Sequence, residues 1–293
     1  MKLATFRHEG RSQVGVVDPA RGAIWPVDAL LGEPVAGMVE LVRAWGRVRD
    51  RLTPRGPSLE LAAVRLEAPI PRPPRNVFCV GKNYRAHAHE FTRSGFDSSA
   101  SGAADAVPTA PVIFTKAPDT VIGPQDDVRY PEGVSAQVDY EAELGVVLGL
   151  GGRGISPADA PRHVFGYTIV DDVTARDLQA RHKQWFLGKS LDTFCPMGPW
   201  IVTADELDAA DLEIRCWVNG ELRQHASTRD LVFGVPALIA TLSAGLTLLP
   251  GDVIATGTPA GVGIGFDPPR FLARGDRVRI EISGIGALEH RIV

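Results

Sequence analysis

The sequence predicts a strand-rich α+β fold, because short alternating segments outnumber segments with helical spacing. Residues 212–218 and 221–225 alternate on either side of Asn219-Gly220, a dipeptide that suits a two-residue hairpin turn. Strands and helices do not alternate regularly along the chain, which disfavours a parallel βαβ sheet. The 293 residues are 44% hydrophobic, so the chain is long and apolar enough to bury a sizeable core.

Residues 1–70 are predicted to form a small N-terminal domain. Segments 3–6 and 15–18 favour a hairpin pair, and residues 38–51 have helical spacing. A stiff, extended linker is then indicated by Pro69, Pro71, Pro73 and Pro74. We therefore place a domain boundary near residue 70 and predict one larger domain over residues 71–293.

The larger domain is predicted to contain strands with few, short helices. The predicted strands are 76–80, 112–115, 143–148, 167–170 and 277–283. Residues 235–249 favour a buried helix, because this apolar segment is too short and too interrupted to span a bilayer. Residues 92–107 are rich in Ser, Gly and Ala, which is typical of a mobile loop.

Composition narrows the classes of partner. The net charge of −4 disfavours nucleic acid and anionic membrane surfaces as partners. The first residues lack the apolar core of a signal peptide. Three scattered cysteines, Cys79, Cys195 and Cys216, have no zinc spacing and are expected to be reduced core residues. We therefore expect a cytoplasmic protein.

Closely spaced carboxylates in residues 138–145 are the strongest chemical signal in the chain. On a strand, the alternation places Asp139, Glu141 and Glu143 on one face, with successive members roughly 7 Å apart. A third carboxylate from a neighbouring strand, Asp172, would complete a three-oxygen site for a hard divalent cation. Taken alone, the segment is more typical of the solvated face of an antiparallel sheet.

His87 and Glu90 form a second candidate pair. On a helix their spacing places both side chains on one face, whereas His89 points elsewhere. A His–Glu pair can orient and deprotonate a water molecule. The alternative is a solvated surface turn.

Two cations are candidates for contact with an anionic substrate. Lys189 has apolar neighbours, so it can turn inward to an anion or enolate, or it can lie on a loop facing solvent. Arg176 follows Asp172 by four residues. Its fork can hold a substrate carboxylate, or it can pair with Asp172 or Asp177.

Two glycine-rich segments are candidates for binding loops. Gly149, Gly151 and Gly154 match the spacing of a dinucleotide fingerprint, but no helix is predicted to begin inside them, which disfavours that site. Residues 256–263 lack the lysine of a P-loop. They predict a tight loop that offers backbone N–H groups to a small anion.

Together these segments resemble the fumarylacetoacetate hydrolase family, in its acylpyruvase and 2-hydroxyhepta-2,4-diene-1,7-dioate isomerase branch. The matching segments are 80–84, 87–90, 139–144, 172–177, 188–193 and 256–259, in the family's order. The resemblance covers residues about 75 to 293 and implies a mixed β-sandwich roll with a metal bound among the strands, usually as a homodimer. The small N-terminal domain matches the family only loosely. Residues 92–107 depart from the pattern as an insertion.

The resemblance also implies roles for individual residues. The implied ligands of Mg²⁺ or Mn²⁺, for which Ca²⁺ can substitute in a crystal, are Glu141, Glu143 and Asp172. The implied substrate-binding residues are Arg176, Gln179 and Thr258. The implied catalytic residues are His87, Glu90 and Lys189.

The expected function is metal-dependent hydrolysis of a C–C bond in acylpyruvate-type 2,4-dioxo acids. One fold supports several chemistries, so two alternatives stay open. The same site suits oxaloacetate decarboxylation or isomerisation of an unsaturated 2-oxo-dioate. A catalytically silent ligand-binding protein is the third reading.

Overall fold

The computed structural model describes residues 1–97 and 106–293, in which two β-sheets pack face to face. The strands are β1 (Lys2–His8), β2 (Arg11–Asp18), β3 (Ala23–Pro26), β4 (Leu59–Glu60), β5 (Arg65–Leu66), β6 (Val77–Gly81), β7 (Val112–Lys116), β8 (Val121–Ile122), β9 (Val138–Asp139), β10 (Ala142–Leu148), β11 (Val164–Asp171), β12 (Thr174–Ala175), β13 (Cys195–Thr203), β14 (Glu213–Val218), β15 (Glu221–Ser227), β16 (Val253–Ala255), β17 (Arg277–Ile282) and β18 (Gly286–Arg291). The helices are α1 (Val27–Leu31), α2 (Met38–Val48), α3 (Arg85–Arg93), α4 (Arg176–His182), α5 (Phe186–Lys189) and α6 (Val235–Gly245). Short 3-10 helices span Arg49–Arg51, Leu61–Ala63, Pro118–Thr120, Ala160–His163, Thr228–Asp230 and Gly263–Gly265.

The large sheet has the strand order β4-β3-β2-β1-β13-β11-β10-β16-β6-β7, with β5 beside β1 and β8 beside β13. The smaller sheet has the order β15-β14-β17-β18, and β9 pairs with β12. Most pairs are antiparallel, but β16 runs parallel to β6 and β8 runs parallel to β13. This mixed, strand-rich architecture confirms the predicted fold class.

Alternate residues of the large sheet enter two different hydrophobic clusters. Val146 of β10 packs in the cluster shared with Ile214 and Ile280 of the smaller sheet. Its neighbour Val147 packs in a second cluster with Leu41 of α2. The period-2 pattern of the strands therefore buries both faces of the sheet. No helix in the described ranges is long and apolar enough to cross a membrane.

Several strands of the large sheet begin or end side by side at one edge of the sheet. Because β10 is antiparallel to β16 and β11, the beginning of β10 lies beside the ends of both. The end of β6 lies there too, since β6 is parallel to β16. This edge carries the carboxylate segment and the start of α3, so it is where the candidate residues meet.

Most predicted elements are present, with shifted ends. Asn219 and Gly220 have φ values of 51° and 82°, as the predicted hairpin turn requires. The helix predicted over 235–249 ends at Gly245. The loop predicted from Thr92 to Val107 was wrong at its start, because α3 continues to Arg93. Residues 98–105 of that predicted loop lie outside the described residues.

The first 70 residues share hydrogen bonds and core with the remainder of the chain. Strand β1 pairs with β13, Lys2 lying opposite Val202. Leu41 lies in one cluster with Val147 and Ile201. The boundary at residue 70 stays a prediction, but this continuity leads us to expect a single cooperative unit.

Replacing Leu41 by Ala tests that expectation. The side chain is fully buried, so the cavity should lower the free energy of unfolding by about 2–5 kcal/mol. Urea unfolding, followed by far-ultraviolet circular dichroism and by tryptophan fluorescence, should show one transition with the same midpoint for both signals. In the variant that midpoint should shift to a lower urea concentration. Arg43→Ala, on the exposed face of α2, is the matched control and should stay within about 0.5 kcal/mol. Two transitions, only one of which moves, would contradict a single unit.

Candidate metal centre

Three buried carboxylates converge at the sheet edge described above. Glu141 immediately precedes β10, Glu143 is the second residue of β10, and Asp172 immediately follows β11. One oxygen from each lies within 4.8 Å of the others. The backbone holds them in register, because the Asp172 N–H donates to the Glu141 carbonyl at 2.9 Å. This is the three-carboxylate arrangement that the sequence predicted.

The acidic face proved to be interior, which excludes the solvated surface considered for this segment. Asp139 is also buried but lies apart from the triad. Its Oδ1 accepts from the Gly263 N–H at 2.6 Å, and its Oδ2 accepts from Arg176 Nε at 2.9 Å. The chain leaves strand geometry between β9 and β10, so Asp139 and Glu143 do not continue one regular alternation.

Two buried lysines neutralise part of the triad's charge. Lys189 Nζ donates to Glu141 Oε2 and to Asp172 Oδ2, each at 2.7 Å. Lys116 Nζ donates to Asp172 Oδ1 at 2.6 Å and to the Val173 carbonyl at 2.9 Å. Lys189 therefore turns inward, as one of its two sequence interpretations required, and its solvent-facing alternative is wrong.

The surroundings push two neighbouring carboxyl pKa values in opposite directions. Burial raises the pKa of Glu141, but the charges of Lys189 and Arg176 outweigh it and lower that pKa to about 2. Burial, followed by the charges of Asp172 and Glu141, raises the pKa of Glu143 well above its usual value. A proton on Glu143 is thereby favoured, and an incoming cation would compete with it.

Arg176 orients the triad through contacts within the protein. Besides Asp139, its Nη2 lies 2.7 Å from Glu141 Oε1, and Nη1 donates to Gln179 Oε1 at 3.1 Å. It does not pair with Asp172 or Asp177, the alternatives considered from sequence. Its contact with substrate stays a prediction.

The glycine-rich loop 256–263 donates backbone N–H groups to the protein's own carboxylates, and its contact with a free small anion stays a prediction. The Gly257 N–H donates to Glu143 Oε2 at 2.8 Å. The Gly261 N–H donates to Glu90 Oε1 at 2.9 Å. Gly261 is left-handed, with φ of 103°, and a Cβ there would lie 2.0 Å from the Arg223 carbonyl oxygen.

His87 and Glu90 are brought together on α3, as predicted. His87 Nδ1 lies 3.1 Å from Glu90 Oε2, and both side chains are nearly buried. Since a carboxylate only accepts hydrogen bonds, Nδ1 carries the hydrogen and Nε2 is left as the acceptor. His89 is exposed on the opposite face of the helix. The solvated-turn alternative for the pair is therefore wrong.

One small cavity connects the pair to the triad. It is lined by His87, Glu141, Glu143, Arg176, Gln179, Lys189 and Thr258, together with Val80, Gly81, Lys82, Phe91, Phe114 and Trp185. Its volume is about 10 Å³, which holds about one water molecule. All the predicted site residues except Glu90 and Asp172 therefore line one space, and those two bond directly to lining residues.

Sequence reasoning missed two side chains that organise the centre. Lys116, described above, ends β7, far from Asp172 in the chain. Gln224 is fully buried, and its Nε2 donates to Thr258 Oγ1 at 2.8 Å while its Oε1 accepts from the Ala142 N–H at 3.1 Å. Neither residue belongs to a local motif. A signal for them would have required knowing which strands are neighbours.

The donor set fits a hard divalent cation. Carboxylate oxygens are the ligands that Mg²⁺ and Mn²⁺ prefer, and the triad contains neither Cys nor His. Burial and then the charges of Asp172 and Glu141 raise the pKa of Glu143, and a bound cation would favour its ionised form. Glu141, Glu143 and Asp172 would hold the ion.

Comparisons with known proteins identify relatives of this chain. Residues 76–293 match the family described as Fumarylacetoacetate (FAA) hydrolase C-terminal. Over 233 residues the chain is 53% identical to oxaloacetate tautomerase YisK of Bacillus subtilis (strain 168), covering 79% of this chain and 74% of that protein. Over 248 residues it is 44% identical to the mitochondrial oxaloacetate tautomerase FAHD2A of Homo sapiens, covering 84% and 74%.

Solved structures show the same fold. A fumarylacetoacetate hydrolase from Exiguobacterium antarcticum superposes with a TM-score of 0.85 at 42% identity, covering 100% of this chain and 99% of that one. Maleylpyruvate hydrolase from Sphingobium sp. SYK-6, in complex with manganese(II) and pyruvate, gives 0.79 at 35% identity with the same coverage. The chain belongs to the fumarylacetoacetate hydrolase family of enzymes.

Isosteric replacement of each triad member tests the metal centre. Loss of a residue that only supports a metal ligand costs about 10- to 100-fold in affinity, so loss of a direct ligand should cost about 100-fold or more. We expect this loss of Mn²⁺ affinity in each of Glu141→Gln, Glu143→Gln and Asp172→Asn. Calorimetric titration measures the affinity. Glu132→Gln, an exposed carboxylate, is the control and should bind as wild type does. Unchanged affinity in all three triad variants would place the ion elsewhere.

The raised pKa of Glu143 predicts that metal binding releases a proton. Because the proton and the cation compete for one carboxylate, Mn²⁺ affinity should rise with pH until pH exceeds that pKa. Glu141, with a pKa of about 2, is already ionised and should add no slope above mildly acidic pH. Titrations in two buffers of different ionisation enthalpy count the protons. Glu143→Gln should lose the slope, and a wild-type protein that releases no proton would contradict the assignment.

Proposed function

We propose that the protein is a divalent-metal-dependent tautomerase that interconverts the keto and enol forms of oxaloacetate or a similar small 2-oxo acid. The observation that carries the proposal is the His87–Glu90 pair, placed on the same cavity as the carboxylate triad. The names of the relatives support it, since oxaloacetate tautomerases are 53% and 44% identical to this chain. These findings favour the isomerase alternative over the hydrolysis of acylpyruvates.

Tautomerisation requires a proton carrier and stabilisation of developing charge. In the keto-to-enol direction the C3–H bond breaks, its electron pair forms the C2=C3 double bond, and the oxygen at C2 gains a proton. A bound cation would withdraw electron density from the 2-oxo group and so acidify C3. His87 Nε2 takes the C3 proton and delivers it to the oxygen at C2, and the reverse reaction moves the proton back to C3.

Supporting contacts keep the proton carrier in one state. Glu90 fixes the Nδ1–H form of His87, and the Gly261 N–H in turn fixes Glu90. The ring of His87 stacks on Phe91 with a centroid separation of 6.1 Å, which restricts its rotation. Lys189 supplies a fixed positive charge near the oxygen at C2. Its pKa is raised, because Asp172 and Glu141 outweigh the lowering effect of burial, so it stays charged.

Hydrolysis of an acylpyruvate is the second candidate. It is favoured by the solved hydrolases of 42% and 35% identity and by a cavity that holds about one water beside His87. Hydrolysis would use His87 to deprotonate that water, whereas tautomerisation needs no attacking water. The choice of Mg²⁺ or Mn²⁺, the homodimer, the cytoplasmic location and the absence of nucleic-acid and membrane partners stay predictions.

Replacing the proton carrier separates binding from chemistry. His87→Gln and Glu90→Gln should lower kcat for enol-to-keto conversion by about 10²- to 10⁴-fold, the usual contribution of general acid–base catalysis. Loss of the enol's ultraviolet absorbance follows the reaction. Oxalate, which needs only the metal end of the site, should bind the Mn²⁺-loaded variants within a few-fold of wild type.

His89→Gln is the matched control, since His89 is exposed on the same helix and should leave kcat unchanged. Acylpyruvate and oxaloacetate should be assayed side by side with the wild-type protein. A higher kcat/KM for acylpyruvate cleavage than for oxaloacetate tautomerisation would favour the hydrolase reading. Full tautomerase activity in both His87 and Glu90 variants would refute the mechanism.

A further inference from the structure

Lys82 is a buried cation that lines the cavity but has no part in the chemistry described above. Its side chain is 3% exposed, and Nζ lies 2.8 Å from Asp97 Oδ2. The Thr92 hydroxyl donates to the same oxygen at 2.8 Å. A buried ion pair is weak evidence of a stabilising role, because desolvation offsets much of the attraction.

The backbone at Lys82 is strained. Its φ is 57°, a left-handed conformation that is uncommon in residues other than glycine. The turn is imposed from both sides. Gly81 packs so closely that a Cβ there would lie 2.4 Å from Trp185, and Asn83 Nδ2 donates to the Thr256 carbonyl at 2.7 Å. Strain held in this way is concentrated at functional sites.

The charges around the cavity distinguish Lys82 from its neighbours. Lys189 is bonded to two members of the triad, and Arg176 is shared by Asp139 and Glu141. Among the lysines and arginines that line the cavity in the described ranges, Lys82 is the one whose carboxylate partner lies outside this network. It is therefore the cation that can exchange partners without disturbing the metal ligands.

We propose that Lys82 binds the second carboxylate of the substrate, so that the site selects 2-oxo-dicarboxylates over 2-oxo acids with a neutral end. This inference rests on the proposed function, which places the 2-oxo-acid end at the metal centre. Asp97, which accepts a hydrogen bond from the Thr92 hydroxyl, holds the ammonium group at the cavity. Since about 10 Å³ cannot admit a four-carbon dianion, part of the cavity lining must move when substrate binds, and Lys82 then exchanges Asp97 for the substrate carboxylate.

Lys82→Met removes the charge and keeps a chain of similar length. The KM for oxaloacetate should rise about 10- to 100-fold, as expected for loss of a hydrogen bond to a charged group. The KM for the 4-ethyl ester of oxaloacetate, which lacks the second charge, should change by less than about 3-fold by the same reasoning. Lys82→Arg should retain most of the preference for the dianion. Lys2→Met, outside the cavity lining, should change neither KM.

A binding measurement separates this inference from the catalytic proposal. The probe is 3,3-difluorooxaloacetate, which has both carboxylates but no C3 proton to transfer. Its affinity for the Mn²⁺-loaded protein is measured by titration, and the affinity of oxalate is measured in parallel. Lys82→Met should weaken the difluoro compound by about 10- to 100-fold and leave oxalate nearly unchanged. Asp97→Asn removes the competing anion, so it should bind the difluoro compound at least as tightly as wild type. Wild-type protein that binds the probe through Lys82 but does not accelerate tautomerisation would refute the proposed function and support this inference.

Two results would overturn the role of Lys82. One is that Lys82→Met weakens oxalate, the ester and the dianion equally, which is the signature of a general structural defect. The other is that Asp97→Asn reproduces the losses of Lys82→Met, which would make the pair a structural link. Should the Met variant fail to fold, Lys82→Arg and Asp97→Asn decide the question, because a structural link predicts equal losses for mono- and dianions in both.

Discussion

The structure of this site depends on one electrostatic constraint: three carboxylates lie within 4.8 Å of one another in the dry interior of a sheet. Like charges so placed repel strongly where water cannot screen them. The chain meets the constraint with Lys189 and Lys116 beside the triad, and the raised pKa of Glu143 favours a proton on its carboxyl. A divalent cation would compete with that proton for Glu143, so metal binding and the charge balance of the site are coupled.

A single loop links the parts of the site that have different tasks. In the loop 256–263, the Gly257 N–H donates to Glu143, a predicted metal ligand. The Gly261 N–H donates to Glu90, the partner of His87, and the Gly263 N–H donates to Asp139, the partner of Arg176. Backbone donors cannot titrate, so they fix these carboxylates at any pH in the working range. The distance between the metal ligands and His87 is thereby set by the loop as much as by α3. Glycine suits Gly257 and Gly261 because their φ values are 102° and 103°.

How much the sequence could predict depended on the distance along the chain between interacting residues. Glu141 and Glu143, or His87 and Glu90, lie within three residues of each other, so spacing alone indicated a shared face. Lys116 reaches Asp172 across 56 residues, and this contact exists only once the sheet has formed. Strand β13 was missed for a related reason, since Pro196 and Pro199 disfavour a strand locally, yet the sheet accommodates them.

The most direct test of the account is exchange of the C3 protons of oxaloacetate for deuterium, followed by proton nuclear magnetic resonance in D₂O. The Mg²⁺- or Mn²⁺-loaded protein should accelerate exchange well beyond the rate with free metal, without matching release of CO₂. Chelation of the metal should abolish the acceleration, and restoring the metal should recover it. Exchange no faster than with free metal, in a preparation that cleaves acylpyruvate, would contradict a tautomerase and establish hydrolysis as the reaction.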